Sequence, residues 1–396
     1  LARVYLEAFQ LTREPLLAGV ARETLDYVLR DMTGPEGEFY SAEDADSPDP
    51  DQPAVLREGA FYLWRRDEIE ALLGPEEAER FCQAYGVTPE GNLVHDPTGE
   101  FVGKNVLYAA GETEGLEALR ARLLEARLAR PRPVRDDKIV AAWNGLMISA
   151  FASGARVLGE PRYLEAARRA AAFALTRLRA PDGSLYRCWR AGEASVAAFS
   201  EDYSCLAQGL LDLYEAGFEP EHLNAAVSLT EKQLELFEDT SAGGLFSAPE
   251  TTTELVLRLK DDFDGAEPSS NSVAALNLSR LAHLARRPDF AQAAERIHAA
   301  FAAPLESAPG QLPELLSALA FHNASRQIVI SGERGAADTA ALLEVVNSKF
   351  QPFAAVMLGS AEQWPRLGQA TAYVCRDFTC LEPTTRIEKL AALLEY

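Results

Sequence analysis

Residues 143–178 read WNGLMISAFASGARVLGEPRYLEAARRAAAFALTRL, and the same layout returns at 202–237 and at 271–305. Each copy is an apolar run, a short turn carrying Pro161, Pro220 or Pro288, and then an amphipathic run. Proline loses no hydrogen bond at the first position of a helix, where the N–H has no acceptor within the helix. The three prolines therefore mark three helix starts, 59 and then 68 residues apart. An Ala-Ala pair follows each at the same offset: Ala166/Ala167, Ala225/Ala226 and Ala293/Ala294. A fourth copy surrounds Pro15, whose helix is predicted to reach about Met32.

The first helix of each pair is apolar almost all round, as in Leu146, Met147, Ile148, Ala150 and Phe151. Such a helix is buried on every side, whereas an amphipathic one faces solvent. First helices should then form an inner layer and second helices an outer one. The fold class read from this pattern is all-α, an (α/α)6-type toroid of helical hairpins with a small α/β appendage. An open solenoid is the alternative, but its repeats run to about 34–47 residues. A Gly-aromatic element closes the second helix of most copies: GEFYSA at 37–42, GSLYRC at 183–188 and GGLFSA at 243–248. Glycine there accepts the positive φ that ends a helix.

Two regions leave the period. Residues 43–135 form an insertion in the toroid, with an acidic Pro-rich loop at 44–53 and a strand-like FYLW at 61–64. Helices are predicted in it around 67–73 and 113–130. The toroid is expected over residues 1–325 and the appendage over 326–396. RQIVIS (326–331), FAAVML (353–358) and TAYVC (371–375) read as strands, with a helix at 336–348, giving a βαβ-like unit.

The 396 residues carry a formal net charge of −22, which disfavours nucleic acid and anionic membrane as partners. A neutral or cationic small molecule such as a sugar fits better. No apolar run reaches the ~20 residues of a membrane span and no signal peptide is visible. Five cysteines, Cys82, Cys188, Cys205, Cys375 and Cys380, include no Cys-x-x-Cys pair. They read as reduced thiols of a cytoplasmic protein, with no metal site and no cofactor. The chain opens inside a helical pattern (Val4, Leu6, Phe9), as expected of a piece of a longer protein.

In a ring of hairpins, loops from an outer helix to the next inner helix emerge on one rim. Four of these are acidic: SAEDAD at 41–46, RDDK at 135–138, SEDY at 200–203 and the loop 260–272. Helix capping accounts for part of this, since acids complement a helix N-terminus by about 0.3–1 kcal/mol. Aromatic neighbours suggest more: flat rings stack on a sugar's C–H face while carboxylates accept from its hydroxyls. Asp137 and Asp202 are the expected acid/base pair. Glu43, Asp46, Asp136, Glu201, Asp264 and Glu267 are expected to bind substrate, with Trp143 and Tyr203 as stacking walls. Lys138, Asn144 and Asn271 would orient hydroxyls. Two carboxyls about 6.5–9.5 Å apart would suit inverting hydrolysis, and about 5–5.5 Å retaining hydrolysis. Sugar epimerisation would call for a poised histidine. Of His95, His222, His283, His298 and His322, only His322 falls near a helix end that could serve. Phosphate-loop, dinucleotide, HExxH and GxSxG motifs do not occur.

The rim segments EFYSAEDADS, RPRPVRDDKIVAAWNGLMI, SEDYSCLAQGLLDLYEA and DGAEPSSNSVAALNL, with YVCRDFTC near the end, resemble the thioredoxin-domain-containing spermatogenesis-associated family. The resemblance covers essentially the whole chain. It implies a six-hairpin toroid similar to glycosidases and N-acylglucosamine 2-epimerases, and a thioredoxin-like domain upstream of the first residue here. Ser270 stands where the family has glycine, and Val134-Arg135 replaces a pair in which His or Pro is common. The family carries no single reaction with it. Three readings follow: a carbohydrate-active protein, leaning to a glycoside hydrolase-like enzyme with paired carboxylates; a non-catalytic scaffold serving a redox domain or protein partner; and a sugar epimerase or isomerase.

Overall fold

The computed structural model describes residues 1–93, 99–252, 255–376 and 379–395. The chain is mostly helical with small sheets and divides into two compact units, 1–41 with 137–396, and 42–136.

In the first unit, α1 (Ala2–Thr12) and α2 (Pro15–Asp31) form one hairpin. In the second, α3 (Arg66–Leu73), α4 (Pro75–Ala84) and α5 (Glu117–Leu128) pack around Ile69, Phe81, Leu119 and Leu123. FYLW is not a strand there. Residues Ala60–Tyr62 make a 3₁₀ turn after Gly59, which sits at φ 71°, and Trp64 only bridges Asn105. Phe61 and Trp64 are both buried, and the Arg130 guanidinium lies 4.1 Å from the Trp64 ring centre, so packing rather than alternation places these aromatics. The acidic loop forms a hairpin of β2 (Asp46–Asp49) and β3 (Gln52–Glu58), beside the short pair β1 (Ala42–Glu43) and β4 (Arg135–Asp136).

Three further hairpins complete the repeat in the first unit: α6 (Ala141–Leu158) with α7 (Pro161–Arg177), α8 (Ser200–Gly217) with α9 (Pro220–Phe237), and α10 (Ser270–Leu284) with α11 (Pro288–Ala300). Pro15, Pro161, Pro220 and Pro288 each occupy the first helical position. Burial separates the layers: 16 of the 18 residues of α8 are buried against six of the 18 of α9. Each turn bends at the residue two before the proline, in the left-handed region: Arg13 (φ 64°), Gly159 (φ 69°), Phe218 (φ 56°) and Arg286 (φ 54°). Only one of the four is glycine.

After the short α12 (Ala302–Ser307), α13 (Pro313–Ala324) packs on α10 as a fifth inner helix and leads straight into strand. The described residues thus hold four hairpins and one additional inner helix. Before α8, β5 (Ile139–Val140), β6 (Tyr186–Arg190) and β7 (Glu193–Ala197) form a small antiparallel sheet. At the chain end, β8 (Arg326–Ser331) runs parallel to β9 (Ala354–Gly359) across α14 (Ala337–Ser348). Next, β10 (Thr371–Arg376) pairs antiparallel with β8 and with β11 (Thr379–Cys380), and α15 (Ile387–Leu393) follows. Ile328, Ile330, Leu342 and Val356 belong to the same core as the inner helices. Cys375 and Cys380 face each other across β10 and β11 and form a disulfide, which corrects the expectation of five reduced thiols; Cys82, Cys188 and Cys205 are in no disulfide. No helix of the described residues is long and apolar enough to cross a membrane.

The tightest contact between hairpins joins α6 to α8. A Cβ on Gly145 would lie 2.3 Å from the Cys205 carbonyl oxygen, and one on Gly209 would lie 2.4 Å from that of Gly145. Both obstacles are backbone, so neither moves cheaply. Gly145→Ala is expected to destabilise the protein by about 1–3 kcal/mol through overpacking, despite the better helix propensity of alanine. Chemical denaturation would measure this, and an unchanged midpoint would mean the two helices can separate without cost.

Candidate functional site

The N-terminal ends of α6, α8 and α10 meet on one side of the first unit, and several of the expected site residues gather there. Asp202 is fully buried, not facing solvent. Its Oδ1 accepts from the Ala142 N–H at 3.1 Å, in the first turn of α6, and its Oδ2 from the Phe199 N–H at 2.9 Å, just before α8. Arg187 donates to Oδ2 at 3.3 Å. Asp202 therefore caps two helices at once, and these three bonds all go to the protein's own frame. Burial pushes its pKa from the ordinary 3.8 up to about 6, against the Phe199 N–H and the Arg187 charge, with Glu201 adding to the rise.

Three residues expected to meet substrate fasten the Gly-aromatic elements instead. Phe39, Leu185 and Leu245 each bridge back to the end of the preceding outer helix, at Thr33, Arg179 and Glu238. A side chain of the next inner helix takes up each one. Asn144 Oδ1 accepts from Phe39 N–H at 2.9 Å while its Nδ2 donates to the Phe39 carbonyl at 3.0 Å. Asn271 treats Leu245 alike, at 2.7 and 3.0 Å. The Tyr203 hydroxyl accepts from Leu185 N–H at 2.7 Å. All three side chains are buried, and Tyr203 packs edge-on to Phe237, so it is no stacking wall for a ligand. Asp264 is a cap as well: its oxygens accept from Ser269 N–H at 2.8 Å and, at the start of α13, from Glu314 N–H at 2.9 Å.

The remaining expected residues differ in exposure. Trp143 is 41% exposed, and its Nε1–H donates to Glu267 Oε1 at 2.9 Å across 124 residues of chain. Asp137 pairs with Arg190 at 2.6 Å and Glu201 with Arg187. Lys138 is exposed rather than buried, and its carbonyl accepts from Ser41 Oγ at 2.6 Å. In the second unit, Glu43 is bound by Arg132 at 2.7 Å, Asp136 sits in β4 opposite Ala42, and Asp46 begins β2, exposed.

A polar interior between the inner helices was not anticipated. Asp212 of α8 is held by Arg280 of α10 at 2.7 Å and by the Ser149 hydroxyl of α6. Arg280 also reaches Glu215 at 3.3 Å, and Glu215 binds Arg156 at 2.9 Å. Burial raises the Asp212 pKa, but Arg280, Arg3 and Ser149 outweigh it and hold the carboxyl below its usual range. These charges border a cavity of about 420 Å³, whose walls include α1 and α13. Its signal in the sequence was charge within helices otherwise apolar on every side. None of the four described histidines lines it; His322 bonds Ser279 at 3.3 Å on another face, and His95 lies outside the described residues.

No family model matches the chain. It aligns over 446 positions, at 37% identity, with spermatogenesis-associated protein 20 of Homo sapiens, covering 100% of this chain and 56% of the relative. The Rattus norvegicus protein of the same name is also 37% identical, over 445 positions, with the same two shares. The chain therefore spans about half the length of the curated relatives it matches. Among solved structures, a GH76 α-mannanase of Bacteroides thetaiotaomicron is similar at TM-score 0.38 and 17% identity, over 44% of this chain and 47% of that one. An unsaturated glucuronyl hydrolase of Bacillus sp. GL1 is similar at TM-score 0.36 and 12% identity, over 76% and 72%. At these scores the likeness does not reach individual side chains.

The buried cap has a pH signature. The folded protein holds the Asp202 proton more tightly than the unfolded chain does, so this group's contribution to stability is complete below pH ~4 and is lost as pH rises through about 6. Asp202→Asn removes that dependence and leaves one backbone N–H facing an amide NH₂. The stability advantage of wild type over Asp202→Asn is expected to shrink by about 1–2 kcal/mol between pH 4.5 and 7. Denaturant titrations at the two values read it, and a constant difference would show that Asp202 titrates normally.

Proposed function

For a chain homologous along its whole length to the spermatogenesis-associated protein 20 family, of whose members it spans about half, we propose a carbohydrate-active role on a hairpin toroid of the (α/α)6 type. The exposed end of α6, α8 and α10 is the part that receives the ligand. The observation that carries this is the Trp143–Glu267 pair. The indole N–H is spent on a carboxylate, which leaves a flat apolar face in water and fixes its orientation. A sugar offers the matching surface: a C–H face for the ring, a hydroxyl for Glu267 beside it, and further hydroxyls for Asp137, Glu201 and Lys138, which precede or open α6 and α8.

At this end the chemistry supported is binding. A hydrolase of the paired-carboxylate kind needs two carboxyls facing one ligand with separated pKa values. Here Asp202 is sealed inside a joint and Asp137 is paired with Arg190, so neither is offered as the acid/base group. An epimerase reading would need a histidine at the ligand, and none of the four described histidines lies in the first turn of α6, α8 or α10: His222 opens α9, and His283, His298 and His322 fall in the last turns of α10, α11 and α13. A scaffold role draws support from the exposed apolar loop 255–263, where Val256, Leu257, Leu259 and Phe263 face solvent.

Titration of the protein with cellobiose, mannobiose and chitobiose tests the sugar reading, followed by tryptophan fluorescence. Binding is expected with at least one of them, and Trp143→Ala should weaken it about tenfold, or about 1.4 kcal/mol. If no disaccharide perturbs the protein, or the variant binds as well as wild type, the indole is not a sugar platform.

A further inference from the structure

The interior cavity is separate from that exposed end: neither Trp143 nor Glu267 borders it. Two helices give it one stripe each, Arg3, Leu6, Glu7 and Gln10 from α1 and Glu314, Ser317 and Phe321 from α13. These spacings of three, four and seven put each set on a single helix face. The far wall is the Asp212–Arg280–Glu215–Arg156 chain already described. Phe350 and Phe353, before β9, add aromatic surface at the chain-end side.

The charges on these walls balance. Arg3, Arg156, Arg280 and Lys349 are four cations, and Glu7, Asp212, Glu215 and Glu314 are four anions. A site with no net demand for charge suits a neutral ligand rather than a phosphate or an amine. The volume of about 420 Å³ falls in the span of small-molecule sites, roughly 300–1,000 Å³. Carboxylates, guanidiniums and amide or hydroxyl groups (Gln10, Ser153, Ser317), interleaved with phenyl rings, answer a molecule that is polar at its edges and apolar on its faces.

Glu314 differs from the other three acids. Arg280 holds Asp212, Arg156 holds Glu215, and Arg3 stands 3.7 Å from Glu7. The Glu314 carboxyl makes no hydrogen bond or ion pair among the described residues, although it is half-buried at the cavity wall. Asp264 fixes the backbone of the same residue by capping α13. A half-buried carboxyl on a fixed backbone, with open space in front of it, is a group waiting for a hydroxyl partner. We infer that this cavity is a binding site for a neutral polyhydroxylated molecule of monosaccharide to disaccharide size, held by the charged wall of α6, α8 and α10, with Glu314 as its direct hydrogen-bonding partner. The ligand class is that of the preceding reading, but the residues are different, and each can fail alone.

Burial raises the Glu314 pKa against the pull of Arg3, while Asp264, Glu7 and Asp212 add to the rise; Arg280 completes the charged groups on the helices around it. Ligand affinity should therefore change with pH on the acid side of neutrality. Isothermal titration with D-glucose, D-mannose, N-acetyl-D-glucosamine and sucrose, none of them a probe of the exposed platform, is the test, on wild type, Ser317→Trp, Glu314→Gln and Trp143→Ala. Ser317→Trp fills the space and should weaken binding at least about tenfold with the circular dichroism spectrum retained. Glu314→Gln should weaken it and flatten the change in affinity between pH 4.5 and 7, and Trp143→Ala should leave this binding in place. Loss in Trp143→Ala alone would leave the exposed platform standing and overturn the cavity site. Should Ser317→Trp not fold, Glu314→Gln decides: unchanged affinity and pH profile overturn the assignment, as does no binding of any of the four sugars.

Discussion

Backbone touches backbone where α6 crosses α8, and the rest of the first unit is arranged around that approach. Gly145 and Gly209 allow it, because a side chain at either would strike a carbonyl oxygen. Two helices this close cannot be held apart by bulky residues, so their relative height has to be set at their ends. Asp202 does this from α8 by accepting the first-turn N–H of α6. One buried carboxylate thus substitutes for the capping residue that α6 lacks, since Val140 precedes it. The same closeness turns Ser149, Asp212 and Arg280 toward one another and leaves the polar interior a defined shape.

Much of the architecture was legible because it rests on local rules. The helix-start prolines, the paired alanines and the contrast between wholly apolar and amphipathic runs each follow from one-dimensional spacing, and the hairpins appear where those signals fall. The left-handed turn residues were not legible. Arg13, Phe218 and Arg286 have no glycine signature, and their conformation is imposed by the two helices they join. FYLW misled for a related reason: in so small a unit, burying Phe61 and Trp64 outweighs the strand preference of aromatics. Cys375 and Cys380 were misread because pairing between adjacent strands depends on register, which spacing alone does not reveal.

The site was legible only in part, and the division is physical. Acids at helix starts were read as a ligand-facing ring, and the structure shows that an acid there first serves the helix: Asp202 and Asp264 do so for helices other than, or additional to, their own. Asn144, Asn271 and Tyr203 are polar residues at equivalent places in the repeat, but their partners are backbone groups of the Gly-aromatic elements. Trp143 with Glu267 is the part of the reading that remains open to a ligand. The charged interior was not legible because Asp212 with Glu215, Arg280, and Glu314 stand on three helices far apart in sequence and belong to no motif.

The way Phe39, Leu185 and Leu245 are taken up by the following inner helix has a consequence for how the molecule comes apart. Besides its own bridge back to the outer helix, each hairpin's tail is latched by its successor, through Asn144, Tyr203 and Asn271. Latches of this kind run in one direction along the chain. Releasing a later hairpin removes this latch from the tail of the one before it and leaves only that tail's own bridge, while releasing an earlier one leaves its successors' latches in place. Loss of order should then travel from α10 back toward α2, a polarity that a ring of interchangeable repeats would not have.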